Sequence, residues 1–205
     1  MNLKERFSEN CLPFTQDQKL IEKLWIEIEK NYSQKSRHYH NLDHLENMFS
    51  ELDFIKNDIS DYSNISFSVF YHDVIYDASS KSNEEKSADF AKVRLQQLGF
   101  QEQDISQVYH QILATKTHQI SEDKDLNYLL DADLSVLGKN WETYMNYTQK
   151  IRKEYSIYPD FLYKPGRKKV LKHFLAMENI FKTDYFMEKY EEQAKKNIQW
   201  EIDNL

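Results

Sequence analysis

Only three glycines (Gly99, Gly138, Gly166) and three prolines (Pro13, Pro159, Pro165) punctuate 205 residues. A sheet-rich chain of this length reverses direction often and needs more such residues, so their scarcity points to long helices. Helix-start signals divide the chain. Thr15-Gln16-Asp17-Gln18 reads as a capping box ahead of Leu20, Ile21, Leu24 and Ile28 at helical spacing. Asn41 is a candidate N-cap for a helix with Leu42, Leu45, Phe49, Leu52 and Ile55 along one face. Ser63 or Asn64 starts the next, which carries Phe67, Phe70, His72, Asp73 and Val74. Ser82-Asn83-Glu84-Glu85 reads as a second capping box, for a helix running to Leu98 and stopped by Gly99.

Further helices are expected over Gln103–Ala114, Lys124–Leu137 and Trp141–Tyr155. Tyr158 to Gly166 reads as a loop, with Pro165 in the first turn of a helix that reaches Phe181. Thr183 or Asp184 caps the last helix. The expectation is an all-α fold, a single helical-bundle domain over residues 1–205 with about eight or nine helices.

Composition narrows the function. The 14 tyrosines and 12 phenylalanines support a packed core. A net charge of -7 argues against a nucleic-acid duplex as partner, because such a surface carries a basic stripe. The one cysteine, Cys11, has no partner for an internal disulfide, and Met1–Asn10 is too charged for a signal peptide. No apolar run approaches the roughly 20 residues of a membrane span. A cytoplasmic protein with no membrane partner is expected, and its oligomeric state is open.

Histidines and carboxylates cluster in three segments. His40 and His44 lie in Tyr39-His40-Asn41-Leu42-Asp43-His44, the pair His72-Asp73 in Phe70-Tyr71-His72-Asp73-Val74-Ile75, and Asp131 and Asp133 in Leu130-Asp131-Ala132-Asp133-Leu134. The His72-Asp73 pair sits in a largely apolar run from Phe67 to Tyr76, and Asp133 lies among leucines. Buried carboxylates are costly unless compensated, and a divalent ion beside histidines compensates them. His44, His72 and Asp73 with one of the two later aspartates can converge on such an ion and leave positions open for water, as metal-assisted hydrolysis requires. Asp131 and Asp133 leave a helix in different directions, so only one of them serves. Asp73, with two oxygens, can bridge a second ion. His and carboxylate ligands together admit Mn, Fe, Co, Ni, Zn or Mg and do not choose among them.

The order His, His-Asp, distant Asp resembles the HD superfamily of metal-dependent phosphohydrolases, over at least Arg37 to Gly138. Tyr39-His40-Asn41-x-x-His44 and Ala132-Asp133-Leu134-Ser135 are similar to stretches of cyclic-nucleotide phosphodiesterases, distant relatives in which the first His is a general acid and the second a metal ligand. That likeness assigns His40 as acid and His44 as ligand, and it selects Asp133 over Asp131. The whole chain looks more like a bacterial family of HD phosphohydrolases of about this length, through Arg37-His38-Tyr39-His40-Asn41, Asn83-Glu84-Glu85-x-Ser87-Ala88 and Asp131 to Gly138. The resemblance implies an HD-type helical domain with its motifs in residues 37–138 and the C-terminal helices, 139–205, packed on them. It also implies hydrolysis of a phosphoester in a nucleotide or other small phosphorylated metabolite. A pocket specific for cyclic nucleotides is not implied.

Other residues are candidates for the same site. Glu84 can orient a water at the metal, or simply favour a helix N-terminus as Glu85 does. In HD proteins a histidine placed like His118 reaches the metal or the substrate phosphate. Arg37, Lys116, Arg152 and Arg167 are candidate phosphate contacts, with Arg37 next to the motif and Arg167 after Pro165-Gly166 the stronger ones. The segment Ile151–Tyr155 can wall a pocket. His38, His110 and His173 have no assigned role. Two other readings remain: an HD-type di-iron oxygenase, for which only His118 is an obvious extra ligand, and a non-catalytic ligand-binding HD domain.

Overall fold

The computed structural model describes residues 1–205, and the fold is all helical with no strand. In chain order the helices are α1 (Leu3–Cys11), α2 (Gln18–Tyr32), α3 (Leu42–Phe54), α4 (Tyr62–Tyr71), α5 (Asn83–Leu98), α6 (Glu102–Ala114), α7 (Lys124–Leu134), α8 (Trp141–Glu154) and α9 (Asp160–Ala176). Short α10 (Asp184–Phe186) continues through a π turn, Met187–Glu191, into α11 (Glu192–Asn204). Counting that run as one, nine rods answer the nine sequence segments and α1 is the addition. Asn2 caps α1 reciprocally with Glu5, and Leu3, Phe7 and Cys11 bury one stripe. No helix is long and apolar enough to cross a membrane.

The centre of the bundle is α4. Every residue from Asn64 to Tyr71 is buried, so it has no solvent face. It packs against α1, α3, α5, α6 and α7. Fully buried Phe67, Phe70 and Tyr71 each contribute about 1.5–3 kcal/mol of hydrophobic stabilisation. The two buried serines of this helix have partners: Ser68 Oγ donates to Gln111 Oε1 at 2.6 Å, and Ser66 Oγ to the Tyr62 carbonyl at 2.7 Å. The C-terminal helices are fastened to α3 by buried Glu51, which accepts from Tyr190 Oη at 2.6 Å and Lys189 Nζ at 2.9 Å and pairs with Lys139.

Several boundaries differ from the sequence reading. Asp17, not Thr15, caps α2, its Oδ1 accepting from the Lys19 and Leu20 amides. Asp61, not Ser63 or Asn64, caps α4. Ser82 makes no side-chain cap, because Asn83 beside it turns back to clasp the Asp77 backbone. α7 ends at Leu134 and tightens into a 3-10 turn over Ser135–Gly138. The segment 160–166 is helix rather than loop, and Pro165 lies inside α9, which puts only Tyr163 and Leu171 into the core. The exposed N-terminal turns of α9 tolerate the backbone bond that Pro165 removes.

Gly138 reads as a helix stop, but its structural reason is a close approach. A Cβ there would lie 2.7 Å from the Tyr190 carbonyl oxygen and 2.9 Å from its Cα. Gly166, inside α9, would meet nothing within 4 Å. Gly138→Ala is expected to destabilise by about 1–3 kcal/mol through overpacking. Gly166→Ala should stabilise by roughly 0.5–1 kcal/mol, the cost of glycine in a helix. Denaturant melts of both variants check the pair, and a Gly138→Ala protein as stable as wild type would contradict the close approach.

Candidate metal centre

Three mutually packed helices bring the motif residues together. His44 lies on the first turns of α3, behind its cap Asn41. His72 ends α4, its amide donating to the Ser68 carbonyl at 2.8 Å. Asp133 lies in the last turn of α7, and α3 packs on both α4 and α7. His44 Nε2 is 3.2 Å from His72 Nε2 and 3.0 Å from Asp133 Oδ1, and His72 Nε2 is 3.8 Å from the same oxygen. The ligand atoms of these three residues all lie within 4.8 Å of one another, so the group could hold a metal ion.

The donor chemistry fits a divalent cation. Two imidazole nitrogens each about 2.0–2.1 Å from one ion stand roughly 3 Å apart at ordinary coordination angles. His72 Nδ1 lies 2.9 Å from the Val69 carbonyl oxygen, which fixes the proton on that nitrogen and leaves the Nε2 lone pair for the centre. Burial keeps His44 below its ordinary pKa despite its contact with Asp133, so its ring is neutral and ready to ligate. Burial also opposes charge on His72, but Asp73 and Asp133 outweigh it and raise its pKa to about 9. The same burial would raise Asp133, yet His118 and His44 hold it well below the carboxylate range. The carboxylates thus demand positive charge between them, which a cation supplies.

Asp73 lies beside the group rather than within its tightest set, with Oδ2 3.2 Å from His72 Nε2 and 4.0 Å from His40 Nε2. The expectation that His72 and Asp73 share one helix is corrected. α4 stops at Tyr71, and the chain turns because side chains take over its backbone groups. Tyr32 Oη accepts from the Asp73 amide at 3.2 Å, and Arg37 donates to the Asp73 carbonyl at 2.6 Å and the Val74 carbonyl at 2.9 Å.

His118 closes the other side of the centre. Its Nε2 is 2.8 Å from Asp133 Oδ2. It is the one non-glycine residue with positive φ, 51°, in the turn that ends α6. That conformation costs a residue with a Cβ about 1–2 kcal/mol, and glycine usually occupies it. Here the strained position delivers an imidazole to the ligand carboxylate, so His118 sits nearer the metal group than a substrate contact alone would require.

His40 is placed differently again. Its ring stacks on Tyr76 at 4.3 Å, and Nδ1 is 2.6 Å from Glu154 Oε2. Glu154 was not singled out in the sequence. It comes from the end of α8, is buried, and its Oε1 accepts from the amides of His38, Tyr39 and His40 at 2.7–2.9 Å. The signal was present: Tyr144, Tyr147, Ile151 and Glu154 follow the buried stripe of α8, so a carboxylate occupies a core position.

The candidate phosphate contacts have other partners. Arg37 is buried, and besides the two carbonyls above it donates to the His40 carbonyl at 3.1 Å, which makes it a staple between motif segments. Lys116 pairs with Glu85, lies 3.7 Å from Glu84 and donates to the Lys81 carbonyl at 2.8 Å. Glu84 is therefore tied to a surface cation. Arg167 forms a two-pronged pair with Glu201 at 2.8 and 3.1 Å and donates to Tyr147 Oη at 3.1 Å. Arg152 pairs with Asp160 at 2.7 Å. His38, His110 and His173 are exposed. Asp131 points away from the centre, accepting from the Lys182 and Thr183 amides and the Thr183 hydroxyl at 2.7–3.0 Å. Against known proteins, the chain matches no family model, no curated protein and no solved structure.

The Glu154 clamp has a pH signature. Burial opposes its charge, but His40 and the backbone amides outweigh burial and lower its pKa from 4.5 to about 2. A depressed carboxyl stabilises the fold above its unfolded pKa and loses that contribution as pH falls through the folded one. The stability gap between wild type and Glu154→Gln should therefore shrink by about 2–3 kcal/mol from pH 5 to pH 2, His40 being protonated throughout that window. Denaturant unfolding across the window measures it, and a constant gap would contradict the clamp.

Proposed function

We propose that the protein hydrolyses a phosphoester of a nucleotide or other small phosphorylated metabolite with a divalent ion held by His44, His72 and Asp133, Asp73 completing the set. One observation carries this reading: His40 projects Nε2 to 4.0 Å from Asp73 while its other nitrogen is clamped to Glu154, so a proton donor stands beside a metal-ligand group. A divalent ion at that group, whether Mn, Fe, Co, Ni, Zn or Mg, supplies positive charge for a phosphoryl oxygen and for an attacking water. Asp73 accepts a hydrogen bond from that water and orients it. His40 delivers a proton from Nε2 to the leaving oxygen. Burial works against protonating His40, but Glu154 and then Asp73 outweigh it and raise its pKa, as a general acid near neutral pH requires. Glu154 and Tyr76 hold the ring in place. The resemblance of the motifs to HD phosphohydrolases supports the same assignment. Elemental analysis of purified protein, followed by phosphomonoester and phosphodiester panels with several divalent ions, tests it.

A second reading is a di-iron oxygenase on a related scaffold, and one observation favours it. His118 stands on Asp133, as an extra ligand would. No further histidine supports it, since His38, His110 and His173 are exposed. Oxygen consumption by iron-loaded protein, with no hydrolysis, would select it.

Asp131 and Asp133 separate structure from ligation. Asp133→Ala should lose the metal. Asp131→Ala should keep it but melt earlier, because three buried donors lose their acceptor at about 1–3 kcal/mol each. Metal content and melting temperature read the two effects, and metal retained in Asp133→Ala would remove that residue from the ligand set.

His40→Ala should retain metal and lose about 10²–10⁴-fold in turnover, the usual reach of general acid catalysis. A nitrophenyl ester, whose leaving group needs little protonation, should lose less than an alkyl phosphate. Equal losses on both substrates would argue against the acid role, and loss of metal would make His40 a ligand.

A further inference from the structure

Beside His40 the protein opens into a cavity of about 550 Å³. That falls within the roughly 300–1,000 Å³ of small-molecule sites. Its wall comes from α8, α9 and the turn between them and carries Tyr147, Tyr155, Tyr158 and Tyr163 with Ile151 and Val170. The Tyr155 and Tyr158 rings are 6.3 Å apart and within 30° of parallel, and Tyr163 stands 6.1 Å from Tyr155. Ala78, Ser79 and Ser80 complete the lining.

The charges of the cavity are as informative as its rings. Besides the proposed acid His40, two permanently charged cations line it, Arg167 and Lys81. Arg167 is consumed by Glu201 and Tyr147, which leaves exposed Lys81. Of the four lysines of α9 none lines the cavity: Leu162, Tyr163, Gly166, Arg167 and Val170 share the cavity face, at 100° per residue Lys164, Lys168 and Lys172 fall on the far side, and Lys169 is exposed at the edge of that face beside Leu162. A site for a polyphosphate concentrates unpaired cations and backbone amides, and this wall offers flat aromatic faces instead.

We propose that this cavity binds a planar, uncharged ring system of nucleobase type, and that the substrate carries a single phosphoryl group directed past His40 to the metal centre. The second half rests on the hydrolytic reading; the first does not. Stacking on tyrosine is sequence-tolerant because every base presents a π face, so several bases fit and the ring rather than its edge pattern is recognised.

Calorimetry on the purified full-length chain tests the ring site with adenosine, which has no phosphate to hydrolyse. Ribose 5-phosphate, AMP, ADP and ATP are titrated in chelator so that no turnover occurs. Adenosine should bind, Tyr158→Ala should weaken it about tenfold through loss of one stacking face, and Val170→Trp should abolish it by filling the cavity. Val170 is half exposed on α9, so the larger side chain leaves the fold and the metal content intact. ADP and ATP should bind no more tightly than AMP. Ribose 5-phosphate binding as well as AMP, with adenosine silent, would overturn the ring site. A tenfold gain from AMP to ATP would overturn the single-phosphoryl restriction. Adenosine binding without hydrolysis of any ester would leave the ring site standing and remove the hydrolytic reading. Hydrolysis unaffected by Val170→Trp, with no nucleoside bound, would do the reverse.

Discussion

The candidate centre depends on one buried guanidinium. Arg37 donates to the carbonyls of His40, Asp73 and Val74, and its plane lies over the rings of Tyr32 and Tyr76. Those carbonyls belong to the two segments that carry the proposed acid and the His-Asp pair, separated by more than thirty residues of chain. Hydrogen bonds to a charged group are each worth about 1.5–3 kcal/mol, so the staple outweighs the tendency of the loops to separate. It also explains how α4 can end at Tyr71. Chain leaving a fully buried helix exposes backbone groups to an apolar interior, and Arg37 and Tyr32 satisfy them there. Burial lowers the pKa of Arg37 and outweighs its neighbours Tyr32, Asp73 and Glu154, which pull the other way, but a guanidinium still carries its charge at neutral pH.

Around that staple the charges are arranged in two linked groups. Asp133 and Asp73 face His44, His72 and His118 on the metal side. Glu154 faces His40 and the backbone amides on the cavity side. Glu154 is met by the segment before α3, and Asp133 by His44 of α3 and His118 of the turn after α6, so no single helix could assemble the site. The separation has a chemical consequence: Glu154, outside the proposed ligand set, holds His40 through Nδ1 and, together with Asp73, favours its protonated form. Two imidazole roles in one small volume need two carboxylate environments.

Much of this was legible in sequence because the signals were local. Scarce glycine and proline fixed the helical class, Asn41 and Gly99 marked real helix ends, and the apolar setting of His72, Asp73 and Asp133 announced buried charge. The choice of Asp133 over Asp131 rested on the Ala132-Asp133-Leu134-Ser135 likeness, and the two side chains do diverge, one to the centre and one to the Lys182–Thr183 backbone. What was not legible depends on distant partners. Glu154 meets the amides of the His40 segment across 114 to 116 residues of sequence. Arg37, Lys116 and Arg167 read as phosphate contacts because their type and neighbourhood suit that role, and only the fold shows carbonyls, Glu85 and Glu201 taking their donors. Pro165 reads as a helix start because an interior proline costs a bond, a cost α9 accepts where it is barely packed.

The division of labour follows the chain. The proposed ligands lie between His44 and Asp133, on helices locked around the buried α4, whose burial makes their positions costly to alter. The cavity wall is drawn mainly from α8 and α9, and α9 contributes only two buried residues. A substitution on α9 can therefore reshape the cavity with little effect on the helices that carry the proposed ligands. Glu154 and Arg167 are the exceptions, since each lies on a cavity helix while bonding deeply into the fold. Of the two, Glu154 alone touches the proposed acid, so it is the residue through which a change in the cavity wall would be felt at the reacting centre.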